Sequence, residues 1–177
     1  MYPRGKCFFG YLTGFSTFFT KSTKRKMYLE ESDCPRLPRN APTRWNFTSR
    51  IVGTVANNYD KLLDVFDRMV QSDDDDDTIN RADGFLKDLE DFEFVFMLLT
   101  YNQVLAETDV VFSISQHRTA DVVFCKARVD ALLSFITEKT SEGSFCAIYE
   151  KAVDMTYDPA QNPRKGHRGP DPKERYK

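Results

Sequence analysis

The chain has 177 residues, of which 41% are apolar and 14% aromatic, and this is enough to form a packed core. The composition excludes a collagen-like or wholly disordered protein, and the sequence has no uninterrupted run of about 18 apolar residues that would indicate a membrane span. Four widely spaced cysteines and two histidines predict neither a zinc module nor a disulfide framework, so we expect an intracellular, reducing environment and no secretion.

Charge is distributed unevenly along the chain. Residues 1–50 carry a net charge of +7, residues 51–157 carry -12 and residues 158–177 carry +3, although the total is only -2. Lys and Arg clusters gain free energy by releasing counterions from phosphates, so the basic ends point to an anionic partner. The alternative is that these charges are solvated faces without a partner.

The prolines divide the chain into three parts. All eight lie before position 43 or after position 158, so long helices are permitted between these positions. We therefore predict a basic N-terminal segment over 1–42, an all-α domain over 43–157 and a basic tail rich in proline and glycine over 158–177. The two terminal segments are predicted to be irregular, apart from one helix over about 15–31 that precedes a proline-rich linker.

The first predicted helix of the central domain has an apolar face. Thr43 is a suitable N-cap, and apolar residues recur every three or four positions from Ile51 to Val70, which is typical of a helix packed on one side. Carboxylates and an arginine occupy its other face. The pattern predicts one continuous helix that ends at about Ser72.

Three further helices follow in the sequence. The stretch from Phe92 to Leu105 is apolar on nearly all sides, which predicts a helix in the centre of the core. Amphipathic segments over about 120–138 and 145–155 complete the domain, with a break at Gly143 or Ser144. No strand pattern and no internal repeat are evident, so we predict an all-α helical bundle.

Five consecutive aspartates, Asp73 to Asp77, have the composition of a calcium loop but not its spacing. Counting from Asp73, the sixth position is Thr78 and the twelfth is Gly84, whereas a calcium loop requires glycine and glutamate there. We predict a solvated loop between helices whose carboxylates favour the start of the next helix.

Candidate catalytic residues are scarce. His117 and His167 have no informative neighbours, and no pattern of nucleophile and base or of metal ligands is evident. We therefore predict no enzymatic activity, no metal site and no cofactor, and we expect neither a small-molecule substrate nor a membrane partner.

The basic segment combines cations with aromatic residues. Lys24, Arg25 and Lys26 form one cluster, and Arg44 precedes the single tryptophan, Trp45. Cations neutralise phosphates, and an indole ring can stack on an unpaired base with a gain of roughly 1–3 kcal/mol. These five residues are the candidate nucleic-acid-binding residues. The alternative is that Trp45 packs into the bundle and Arg44 pairs with an acid.

Four blocks in this order resemble hAT-superfamily transposases. They are Phe-Phe-x-x-Ser-Thr-Lys-Arg, Cys-Pro-Arg-Leu-Pro-Arg, Pro-Thr-Arg-Trp-Asn, and the helix that runs through Ala-Asp-Gly-Phe-Leu-Lys to Phe94. The nearest likeness is to the transposase-derived zinc finger MYM-type 1-like proteins of animals. The similarity extends from about Phe8 to the basic tail.

The resemblance implies part of a transposase. In that family an RNase H-like core with three metal-binding carboxylates is interrupted by an all-α insertion domain, and the chain is similar to the edge of the core and much of the insertion. The catalytic carboxylates have no counterpart in these blocks, so an inactive, nuclear protein is implied. The family's Arg-Trp pair, associated with a flipped base or hairpin at the transposon end, falls on Arg44 and Trp45.

Two functional hypotheses follow. The first is a catalytically inactive, transposase-derived fragment that binds nucleic acid weakly and without sequence preference, with a Kd of about 10⁻⁴–10⁻⁶ M at physiological salt. The second is a helical protein-interaction module, without DNA binding, that self-associates or binds another protein through an exposed apolar surface. A metal-dependent nuclease is disfavoured by the scarcity of ligands.

Overall fold

The computed structural model of the protein describes residues 3–39, 45–116 and 121–156. Every regular element in these ranges is an α-helix, which confirms the all-α prediction. The chain divides into two compact units, Met1–Ala106 and Glu107–Lys177. The described helices are α1 (Pro3–Thr20), α2 (Thr23–Glu31), α3 (Trp45–Asn57), α4 (Tyr59–Val70), α5 (Asp76–Leu89), α6 (Phe92–Ser115), α7 (Val122–Lys139) and α8 (Glu142–Thr156).

The N-terminal segment belongs to the core of the first unit, which corrects the expectation of an irregular segment before position 43. Phe15 and Phe18 of α1 are fully buried. Their rings lie 4.9 and 5.2 Å from the ring of Phe85 in α5, and the Phe15 ring lies 5.6 Å from that of Phe66 in α4. Burying one such side chain contributes about 1.5–3 kcal/mol. Aromatic packing therefore joins the basic N-terminal segment to the acidic central domain.

The helix predicted over about 15–31 is two helices. Ser22 lies between them with an extended backbone, and its hydroxyl accepts a hydrogen bond from the backbone N–H of Arg25 at 3.4 Å. A serine in this role satisfies a backbone donor at the start of a helix. It therefore starts α2 in a new direction, whereas spacing of apolar residues alone gave no sign of the break.

The apolar face predicted from Ile51 to Val70 is present, but it is divided between α3 and α4. The break is at Asn58, whose side-chain amide donates to the Thr54 carbonyl at 2.9 Å. The next residue, Tyr59, is buried and donates its hydroxyl proton to the Leu89 carbonyl at 2.8 Å. Two polar contacts thus fix the junction without interrupting the buried face, and α4 ends at Val70, two residues before the predicted end.

The start of α6 is a core helix, as its composition predicted. Phe94, Val95, Leu98 and Leu99 are buried, whereas no residue of α6 after Leu99 is. Phe94 packs against α1, with its ring centre 5.2 Å from that of Phe8. The unit boundary after Ala106 lies within this helix. The fully apolar composition therefore corresponds to burial only over the first two turns.

The helices α7 and α8 form the second unit together with the end of α6. The loop between α7 and α8 lies at Thr140 and Ser141, so Gly143 and Ser144 are inside α8 and the predicted break is three residues too late. Asp121 begins α7 as an N-cap, with its carboxylate accepting from the Val123 N–H at 2.9 Å. None of the residues of α7 is buried, although an amphipathic helix with a packed apolar face was predicted there.

Candidate functional site

The three adjacent cations of α2 have different surroundings. Lys24 forms an ion pair with Asp74 of the aspartate run, and the Tyr28 hydroxyl donates to the same carboxylate at 2.9 Å. The hydrogen bond from Lys24 is the main reason that the pKa of Asp74 is lowered. The side chain of Lys24 is still 65% exposed, whereas that of Asp74 is only 5% exposed. Lys24 thus remains accessible from solvent while it is paired.

Arg25 is held by contacts within the first unit. Its Nη2 donates to the Thr78 hydroxyl at 2.7 Å, and its Nη1 donates to the Phe18 carbonyl at 3.4 Å. The guanidinium also lies 4.2 Å from the centre of the Phe18 ring. Such a set of contacts is typical of an arginine that packs two helices together. Arg25 therefore joins α2 to α1 and α5.

The aspartate run is only partly the solvated loop that its sequence predicts. Asp75 is exposed and caps α5, accepting from the Thr78 N–H at 2.9 Å and from its hydroxyl at 2.7 Å. The hydrogen bonds from Thr78 lower the pKa of Asp75. The predicted role at the helix start is confirmed, but the side chain of Asp74 is only 5% exposed because it packs against α2, where Lys24 and Tyr28 supply partners for its carboxylate, as does Ser72.

Lys26 lies on a different side of α2, beside a concave cavity of about 260 Å³. Arg36, Arg39 and Arg50 line the same cavity, and among the residues that the structure describes no Asp or Glu does. The apolar part of the wall includes Phe19 and Leu37, both buried. Four cationic residues from α2, from the segment 34–39 and from α3 therefore contribute to the wall of one concave surface.

The shape of the segment 34–39 follows from how α2 ends. The Cys34 N–H donates to the Leu29 carbonyl at 2.8 Å and the Asp33 N–H to the Glu30 carbonyl at 3.2 Å, while Asp33 has a left-handed φ of 48°. This is a Schellman motif. Cys34 and Leu37 are buried beyond it, and burial raises the pKa of the Cys34 thiol.

The two arginines of this segment are exposed to solvent. Arg36 and Arg39 are exposed on either side of buried Leu37. The hydroxyl of Ser16, which is 1% exposed, donates to the Pro38 carbonyl at 2.5 Å. The segment 34–39, which forms part of the cavity wall, is therefore fixed at both ends: by the Schellman motif at the end of α2 and by the hydrogen bond from Ser16 of α1.

The cavity carries more positive charge than the surrounding carboxylates neutralise. Arg36 is paired with Glu30, at 2.5 Å from Nη2 and 3.2 Å from Nε. Among the residues that the structure describes, no ion pair joins Lys26, Arg39 or Arg50 to a carboxylate. Arg39 and Arg50 are exposed and Lys26 is half-buried. Three cations are thus available to an anion, beside a fourth that is already paired.

Two of the five candidate residues lie wholly or partly outside the described part of the chain. Arg44 is outside it, and Trp45 is described only as the first residue of α3, without its side chain. Whether this pair binds nucleic acid stays a prediction. The same holds for the histidines His117 and His167 and for the N-cap Thr43, which are also outside the described residues.

The sequence predicts nucleic-acid affinity for the stretch 21–50 but singles out only one of the cavity's cations. Lys26 is a candidate residue, whereas Arg36, Arg39 and Arg50 lie in this stretch without being candidates themselves. One local signal could have found them: the chain from Cys34 to Tyr59 contains four arginines and no acidic residue, although acidic residues are frequent elsewhere. A stretch of this kind cannot neutralise its own charges through local pairs, so an anionic partner is expected for it.

The structure and the comparisons add three findings. In the described ranges no helix is both long and apolar enough to cross a membrane. The same ranges contain no group of three or more His, Cys, Asp or Glu side chains placed to hold a metal ion. Comparison of the chain with family models, with curated proteins and with solved structures gives no match.

Proposed function

We propose that this protein binds nucleic acid through backbone phosphates, weakly and without sequence preference, and performs no catalysis of its own. In this proposal it is a nuclear, hAT transposase-derived helical protein, as the order of its four sequence blocks suggests. The observation that carries the proposal is that Lys26, Arg36, Arg39 and Arg50 line one concave surface, with no Asp or Glu among its described lining residues. Phosphate contacts of this kind supply affinity that is independent of sequence.

The three cations of α2 have different roles in this proposal. Lys26 faces the cavity and is assigned to phosphate binding. Arg25 is engaged by Thr78 and Phe18 and is assigned to packing. Lys24 is paired with Asp74 but is largely exposed, so it can contact a phosphate at the edge of the site only in competition with that carboxylate. Arg44 and Trp45 remain part of the proposed surface by resemblance.

A salt titration with charge-matched variants tests the proposal. Binding of a labelled hairpin-ended oligonucleotide is followed by fluorescence anisotropy at several salt concentrations. The triple variant Lys26→Gln, Arg39→Gln, Arg50→Gln is compared with a control in the second unit, Lys126→Gln, Lys139→Gln, Lys151→Gln, which makes the same change in net charge. We expect the cavity variant to lower the slope of log K against log salt by about 2–3, as three lost phosphate contacts imply.

Equal effects of the two triple variants would show that only net charge matters, and no binding by the folded parent at low salt would reject the proposal. Trp45 can be tested in the same titration because it is the only tryptophan. Salt-sensitive quenching of its fluorescence, absent in Trp45→Phe, is expected if the indole lies at the contact. An unchanged emission during binding would remove Trp45 from the surface.

A second candidate function, self-association through α7, is favoured by one observation. Val122, Val123, Phe124 and Leu133 are 80%, 75%, 53% and 58% exposed. Large exposed apolar patches are typical of interaction surfaces. We expect concentration-dependent dimer formation in sedimentation velocity, abolished by Leu133→Asp and retained in Ala131→Asp, which adds the same charge at an exposed position. A monomer at all concentrations would reject this candidate.

A further inference from the structure

We infer that the cavity lined by Lys26, Arg36, Arg39 and Arg50 binds the terminal phosphate of a nucleic-acid strand in preference to a phosphodiester within it. This inference rests on the proposed function and specifies which phosphate the site takes. It depends on three observations: the number of available charges, the concave shape of the site and the absence of acidic residues from Cys34 to Tyr59, the stretch that supplies three of the four cations.

The charge of the site fits a dianion better than a monoanion. Lys26, Arg39 and Arg50 have no ion pair among the described residues, and Arg36 shares its charge with Glu30. A phosphodiester carries one negative charge, whereas a phosphomonoester carries about -1.5 to -2 near pH 7 because its second pKa is about 6. A second charge on the ligand gives these cations an additional electrostatic partner and a further acceptor oxygen.

The shape of the site favours a chain end. A cavity of about 260 Å³ is below the range of about 300–1,000 Å³ that is usual for drug-sized ligands, so it suits a small group such as one phosphate. A terminal phosphate has one chain connection and can enter a concave site. An internal phosphodiester has two, so the strand would have to bend sharply to bring its phosphate equally far in.

The surroundings favour nucleic acid as the source of the terminal phosphate. From Cys34 to Tyr59 the chain has no acidic residue, and Arg39 and Arg50 are both exposed. A ligand with additional negative charges therefore meets no repelling carboxylate from this stretch. A nucleic-acid strand supplies such charges at every following phosphate, whereas a phosphorylated peptide supplies them only if its sequence is acidic.

The test compares strand ends on one sequence. Three single-stranded oligonucleotides carry hydroxyls at both ends, a 5′-phosphate or a 3′-phosphate, and their affinities for the full chain are measured at low salt. We expect at least one phosphorylated strand to bind about tenfold more tightly than the hydroxyl strand, equivalent to one additional charge-assisted hydrogen bond. This gain is expected to decrease between pH 7.5 and pH 5.5 as the phosphate gains a proton near pH 6.

Two substitutions at exposed residues test whether the cavity causes the tighter binding of the phosphorylated strand. Arg50→Gln is expected to remove most of the gain, while Lys21→Gln, at an exposed cation outside the cavity lining, is expected to preserve it. Equal affinity for all three strands, with binding still dependent on salt and on the cavity cations, overturns this inference and leaves the proposed function intact. Absence of binding to any strand by the folded protein overturns both.

A further measurement distinguishes a nucleic-acid strand from a phosphorylated peptide as the source of the phosphomonoester. A short phosphopeptide without acidic residues is titrated in parallel and is expected to bind at least tenfold more weakly than the phosphorylated strand. Equal or tighter binding of the phosphopeptide overturns the assignment to nucleic acid. Far-UV circular dichroism of both variants shows whether the helices are retained, so that a loss of binding is not mistaken for unfolding.

Discussion

The buried hydroxyl of Ser16 donates a hydrogen bond of 2.5 Å to the carbonyl of Pro38. This bond connects α1 to the segment that carries Arg36 and Arg39, two of the cations beside the cavity. The serine is 22 residues from Pro38 in sequence, and its role follows only from the packing of α1 against the rest of the first unit. It is a positioning residue for the site rather than part of its surface.

Ser16→Ala is expected to lower the free energy of unfolding by about 1–3 kcal/mol, because the Pro38 carbonyl loses its buried donor. It is also expected to weaken oligonucleotide binding, since the segment 34–39 is no longer fixed. Urea unfolding and anisotropy measure the two effects. Ser134→Ala is the control, because that exposed hydroxyl bonds only within its own helix. An affinity equal to that of the parent would show that the segment holds its position without Ser16.

Arg25 and Lys26 are neighbours in sequence with opposite expected phenotypes. Arg25→Lys is expected to lower the free energy of unfolding by about 1–2 kcal/mol. A lysine cannot donate to the Thr78 hydroxyl and the Phe18 carbonyl at the same time, and its ammonium group covers the Phe18 ring less well. Its effect on affinity is expected to be small. Lys26→Gln is expected to change stability by less than about 0.5 kcal/mol and to lower the salt slope by about 1.

Thermal unfolding and salt-dependent anisotropy of both variants distinguish the two roles. If Arg25→Lys reduced affinity as much as Lys26→Gln while the protein stayed folded, Arg25 would contact the ligand as the sequence first suggested. The structural assignment of Arg25 to packing would then be wrong.

Arg25 and Lys26 illustrate how much of the site could be predicted from the sequence. A cluster of Lys24, Arg25 and Lys26 indicates phosphate binding when only the sequence is considered. The partners Asp74 and Thr78 are 50 and 53 residues away, and no local pattern relates such distant positions. Lys26 could be predicted as a site residue. That Lys24 and Arg25 have other partners depends on which face of α2 meets α5, and the sequence alone does not show this.

The fold was predictable in the same uneven way. Apolar spacing identified the regions that contain α3, α4, α7, α8 and the start of α6, because such spacing is a local property of one helix face, but it did not identify α5. The prediction of an irregular basic segment missed α1. The basic residues of the segment 1–42 lie at the ends of α1 and around α2, whereas the middle of α1 is aromatic. The breaks at Ser22 and Asn58 were missed because single polar contacts decide them.

Two glycines of α1 allow a matched test of its packing. A Cβ added at Gly10 would meet nothing within 4 Å, whereas one added at Gly14 would lie 3.3 Å from Cε1 and 3.5 Å from Cζ of Phe85. Gly10→Ala is therefore expected to raise the free energy of unfolding by about 0.5–1 kcal/mol, the usual difference between glycine and alanine inside a helix. The Phe85 ring must move to admit the methyl group at Gly14.

Gly14→Ala is expected to be less stable than Gly10→Ala by about 1–2 kcal/mol, since the Phe85 ring is held by Phe15, Phe18 and Phe66 and has little freedom to move. Differential scanning calorimetry of the two variants measures the difference. Equal stabilisation by both substitutions would mean that the Phe85 ring adapts freely, contrary to the close packing of the aromatic cluster.

Asp88 predicts an unusual dependence of stability on pH. Burial, and secondarily the charge of Asp91, raises the pKa of Asp88 to about 6. An acid whose pKa is higher in the folded state favours folding when it is protonated. Its contribution is therefore complete below pH 3.8, the ordinary value, and is lost as the pH rises through about 6. The lowered pKa of Asp74 acts in the opposite sense, because its stabilisation is lost as the pH falls below about 4.

Asp88→Asn is expected to raise the free energy of unfolding at pH 7.5 by about 1–2 kcal/mol, less than the full shift implies because the carboxyl is only partly buried. The gain is expected to disappear toward pH 4.5, where the parent carboxyl is protonated. Urea midpoints across this range measure the effect. Asp130→Asn controls for removal of one charge, because Asp130 is exposed in the second unit. If Asp88→Asn gave the same increase at both pH values, a cause other than ionisation would be required.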